Sequence, residues 1–81
     1  MKTEKKIEII TRALNDFMTG LKISRDMDID ASERVNQNNL EEEERKFAAD
    51  ALTSIYNEAM RTAMIIAADM IRNCAQEQET I

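Results

Sequence analysis

Ile7, Ile10, Leu14, Phe17 and Leu21 recur at steps of three, four, three and four residues. A helix turns once in 3.6 residues, so these five side chains share one side of it. Ile9, Ala13 and Met18 widen that line into a face. The pattern predicts a helix over about residues 3–20, stopping near Gly20, because helices often end at a glycine.

The second and longer pattern begins after Asn39. Leu52, Ile55, Ala59, Ala63, Ile66, Met70 and Cys74 step by three, four, four, three, four and four. That is an eleven-residue period, close to the natural pitch of a straight helix. A parallel line, Tyr56, Met60, Met64, Ala67 and Ile71, lies beside it, and Ile65 and Ala68 fall outside both. Around residues 63–71 the helix is apolar nearly all round, as helices buried on several sides are. Asn39 as N-cap with Glu42 three positions on fits a capping box. Glu41 to Glu44 then favour the positive end of the helix dipole. The predicted long helix covers about residues 40–76, with a frayed end at 77–81.

Between the two patterns, Asp26, Asp28 and Asp30 alternate in the manner of a calcium-binding loop. Such a twelve-residue loop needs glycine sixth, an apolar residue eighth and glutamate twelfth, where this chain has Ala31, Glu33 and Gln37. Calcium is therefore rejected. Asp30 with Glu33 reads better as a second capping box, starting a short helix over about residues 31–38 after a linker at 21–30. The expected fold is all-α: a helical hairpin or three-helix chain forming one domain over residues 1–81 and assembling into a homo-oligomeric bundle.

Magnitudes suggest the assembly. At ~1.5 Å per residue, the first helix spans roughly 26–30 Å and the last roughly 55 Å. The short one covers about half of one side of the long one. Leaving several large side chains exposed would forgo ~1.5–3 kcal/mol each, too much for a small domain. The expected interface comprises Leu52, Ile55, Ala59, Ala63, Ile66, Ala67 and Met70, most simply in a dimer with the long helices antiparallel. Ala59, Ala63 and Ala67 form a ridge without bulk, allowing close approach. Asp69 interrupts the most apolar stretch and calls for a partner, either Arg72 or Arg61 of another protomer.

Composition narrows the function classes. Among 81 residues there is no proline, one glycine and mostly helix-forming side chains. The net charge of −5 disfavours sequence-independent nucleic-acid binding. Without histidine and with Cys74 as the only cysteine, the usual zinc sites and an internal disulfide are excluded. No Gly-rich phosphate loop or nucleophile with a base is present, so neither catalysis nor a cofactor is expected. Asp50 and Asp69 are too far apart on one helix, roughly 28 Å, to act as paired carboxylates.

The N-terminal residues lack a leader pattern, and the apolar run at 63–68 is too short for a membrane span, so a cytoplasmic protein is expected. The leading functional reading is a non-enzymatic helical oligomer that binds another protein, as adaptor or inhibitor, in a phage or bacterial setting. The alternative is capture of a small anionic ligand such as a nucleotide between protomers, using Arg12, Lys22, Arg25, Arg61 or Arg72. A DNA-binding regulator ranks behind both.

Overall fold

The computed structural model describes residues 1–79. It contains two helices, α1 over Thr3–Asn36 and α2 over Glu42–Glu79, and no strand among the described residues. The helices run antiparallel. Lys6 pairs with Glu77 at 3.4 Å near one end, and the Tyr56 hydroxyl donates to the Asp28 carboxylate nearer the other.

The side chains between the helices follow one rhythm. On α1 the half-buried seam is Ile7, Ile10, Leu14, Met18, Leu21, Arg25, Ile29 and Ser32. On α2 it is Ala49, Leu52, Tyr56, Met60, Ala63, Ala67, Ile71 and Cys74. Both step in threes and fours that repeat every eleven residues, so two nearly straight helices keep contact along their length. Among the described residues only Met60 and Ala67 are buried, at 8% and 6% exposure. Two helices make a single layer, which leaves the other described side chains with at least one side in solvent.

The chain between residues 21 and 38 differs from the expected linker and separate short helix. α1 runs through Gly20 and on to Asn36 without a break. Gly20 has an ordinary helical backbone, with no positive φ. A glycine in a helix interior costs only about 1 kcal/mol against alanine. Leu21, Arg25 and Ile29 continue the seam beyond it, so packing on α2 outweighs that cost.

The aspartates are held inside the helix. Asp30 does not cap a new helix; it pairs with Arg34 one turn on. Asp28 accepts the Tyr56 hydroxyl, and Asp26 lies 3.2 Å from Arg25. On a helix, residues two apart point about 200° away from each other, so Asp26 and Asp28 diverge. Among the described residues no three histidine, cysteine or carboxylate side chains come together as metal ligands.

The start of α2 also moves. Asn39 donates its side-chain amide to the Val35 carbonyl and so completes the end of α1. The capping position falls on Glu41, whose carbonyl accepts from the Arg45 amide at 2.9 Å. Its own amide donates to the Glu44 carboxylate at 3.0 Å. This is the reciprocal arm of a capping box, two residues later than expected. The Arg45 guanidinium closes the connection by donating to the Gln37 and Leu40 carbonyls, both at 2.9 Å.

Candidate interaction surface

A residue one step before or after a seam position lies about 100° to one side of it. The seam therefore has two flanks on each helix. On α1 the residues that follow it are Glu8, Thr11, Asn15, Thr19, Lys22, Asp26, Asp30 and Glu33. All eight are polar and exposed. Those that precede it include Ile9, Ala13, Phe17, Gly20, Ser24 and Ala31, and Val35 extends the line before Asn36. Only Asp28 carries a charge among the preceding positions from Ile9 onward, and Tyr56 donates to it.

α2 repeats the division less sharply. Ala48, Ala51, Ile55, Ala59, Thr62, Ile66, Met70 and Asn73 precede its seam. Asp50, Thr53, Asn57, Arg61, Met64, Ala68, Arg72 and Ala75 follow it.

In an antiparallel pair the two preceding flanks turn to the same side. The structure joins them in a groove lined by Ile9, Ala13 and Phe17 from α1 with Ala63, Ile66 and Met70 from α2. A neighbouring depression extends it along Phe17, Ile55, Ala59 and Ala63, with Glu58 and Thr62 at its polar edge. The result is one broad apolar face. Phe17 is 51% exposed there, Ile66 55% and Ile55 66%. The opposite face has a groove of its own, lined by Met18, Met60, Met64, Ile65 and Ala68, but there Asn57 and Arg61 join the apolar side chains.

The residues expected at an interface divide between two places. Ile55, Ala59, Ile66 and Met70 lie on the open apolar face, whereas Leu52, Ala63 and Ala67 lie in the seam. Phe17 leaves the seam, where it was expected, and Met18 occupies it instead. On the α1 half of the open face, Ile9 and Ala13 are where the sequence pattern puts them, beside the seam, and its continuation through Gly20 and Ser24 is not part of that expectation. Its signal was available in the fixed offset of Ile9, Ala13, Phe17, Gly20 and Ser24 from the seam.

The polar candidates do not converge. Asp69 is exposed, not buried, and lies 2.9 Å from Arg72 on its own helix. Arg61 lies 3.7 Å from Glu58 and Arg12 3.1 Å from Glu8. Arg25, half-buried in the seam, lies beside Asp26, and Lys22 stands on the polar flank. Exposed pairs within one helix are each worth ~0.2–1 kcal/mol or less. Cys74 is a half-buried thiol at the end of the α2 seam.

No described helix is long and apolar enough to cross a membrane. No family model matches the sequence, and no curated protein or solved structure is significantly similar to it.

Proposed function

We propose that this chain acts without catalysis, by protein–protein association, as a homo-oligomer whose contact surface is the apolar face. The observation that carries this reading is the amount of surface one copy leaves open. Its accessible area is 6464 Å². A compact monomer of 9.3 kDa would expose about 5,000 Å². Its radius of gyration is 18.4 Å, against about 12 Å for a globule of this length. The surplus is about 1,500 Å² per chain, on a rod of 63 × 15 × 9 Å. A second layer of helices is what a single layer lacks.

A dimer is the simplest assembly, and the finished bundle would then present its polar flanks to a further protein, in the role of adaptor or inhibitor. The single thiol and acidic surface suit a cytoplasmic setting. Capture of a small anion has no comparable support, because Arg12, Arg25, Arg61 and Arg72 each lie beside a carboxylate of their own chain. Sedimentation equilibrium at micromolar concentration tests the proposal. The expected species has twice the 9.3 kDa chain mass. A stably helical monomer across the concentration range would overturn it.

A further inference from the structure

The midpoint of the rod falls among small side chains of the two helices. α1 spans Thr3–Asn36 and α2 spans Glu42–Glu79, so their middles fall at about residues 20 and 61. Gly20 stands at the middle of α1, and Ala59 and Ala63 stand near the middle of α2. Phe17, Ile55 and Ile66 rise around this waist. Nothing within the single chain accounts for the glycine. Its φ is not positive, and a Cβ added to it would meet nothing within 4 Å. A helix-interior glycine that is neither strained nor crowded is a cost with no return inside the monomer.

Resting on the self-association proposed above, we propose that a second copy packs antiparallel on this face, about a two-fold axis through the waist at Gly20, Ala59 and Ala63. An axis perpendicular to the rod at its midpoint overlaps both rods along their whole length. Covering the surplus on two chains buries about 3,000 Å² in total, within the range of obligate homodimers. Residues at such an axis meet their own counterparts, so small side chains there let the helices approach while bulky ones interlock on either side.

Charge favours the antiparallel sense. Residues 21–63 hold six basic and ten acidic side chains, and the remainder hold five and six. The half around the connection is thus −4 and the other half −1. Antiparallel packing sets each strongly acidic half over the nearly neutral half of the other copy. Parallel packing would stack the two acidic halves.

Two measurements on the full chain test the proposal. In a Cys74→Ser background, a spin label at Lys5→Cys sits on an exposed site fifteen residues from Gly20. At ~1.5 Å per residue, the antiparallel pair of labels lies about 45 Å or more apart, and a parallel pair about 25 Å or less. Electron double-resonance distances at the long value are expected; the short value overturns the orientation while leaving self-association standing.

The second measurement is Gly20→Leu. Leucine is the better helix former and its Cβ meets nothing in its own chain, so helicity by circular dichroism should hold or rise. The dimer dissociation constant should increase at least tenfold. An unchanged constant removes the waist from the interface, and a monomeric parent chain overturns both this arrangement and the function it rests on.

Discussion

The two flanks of α1 are both exposed and chemically opposite. Phe17 and Thr19 sit either side of Met18, on the same turn, both in solvent in one copy. From Glu8 to Glu33 the following flank has no apolar side chain, while the preceding flank from Ile9 to Val35 has one charge. Solvent exposure in the single chain therefore does not distinguish the two flanks. What distinguishes them is composition carried in register with the seam. A helix whose only contact was α2 would need one apolar line, and α1 carries two.

The sharpest way to break this comparison is to put the same charge on each flank. Phe17→Asp removes a side chain worth ~1.5–3 kcal/mol when buried, and an isologous dimer counts the loss twice. The sum, about 3–6 kcal/mol, corresponds to a hundredfold or greater rise in dissociation constant. Asn15→Asp adds the same charge one step beyond the seam on the polar flank and should change the constant by less than about threefold. Sedimentation velocity over a dilution series reads both. Equal effects from the two substitutions would mean that the flanks do not differ in function.

Part of this was legible in the spacing of apolar residues, and the failures have identifiable causes. Ile7, Ile10, Leu14 and Leu21 were placed on the seam because steps of three and four allow nothing else. Phe17 and Met18 were exchanged because adjacent apolar residues differ by only 100°, and neither hydrophobicity nor size decides which one turns inward. The α2 pattern holds two apolar lines, and only the position of α1 shows that the seam crosses between them, taking Leu52, Ala63 and Cys74 from one and Tyr56, Met60, Ala67 and Ile71 from the other.

Residues 21–38 failed for a different reason. Gly20 and Asp-x-Asp-x-Asp are local stop signals, and both were overruled by a seam that continues through Leu21, Arg25 and Ile29. The cap slipped by two positions because any of several residues before the glutamate run satisfies the same rule. The Arg45 contacts with Gln37 and Leu40, which accompany the choice of Glu41, span five to eight residues and leave no periodic trace.

The glycine gives an intermediate effect that sharpens the same contrast. In the monomeric Phe17→Asp chain, Gly20→Ala fills open space and gains helix propensity, about 0.8–1 kcal/mol. For a chain of this size that corresponds to a melting midpoint about 4–8 °C higher. In the dimer proposed for the parent chain the same methyl enters the waist between two copies, so the gain in midpoint should be smaller. Thermal circular dichroism of the four proteins supplies the comparison. An equal gain in both backgrounds would show that Gly20 faces solvent in the assembly as well.

The smallest effect belongs to the polar contact that crosses between the helices. The Tyr56 hydroxyl donates to the Asp28 carboxylate, and that hydrogen bond, followed by desolvation and the aspartate's charge, raises the phenol above its ordinary pKa. A raised folded-state pKa means that the contribution is fully present below the unfolded value of about 10 and is lost as pH climbs through the folded value. Tyr56→Phe should therefore be slightly less stable than the parent at neutral pH, and the two should converge above pH ~10. Lysine titration in that range affects both chains alike and cancels in the difference. Urea unfolding of the pair at pH 7 and at pH 11 measures it. A stability gap that widens with pH would show that Tyr56 does not stabilise the pairing of α1 with α2 through its proton.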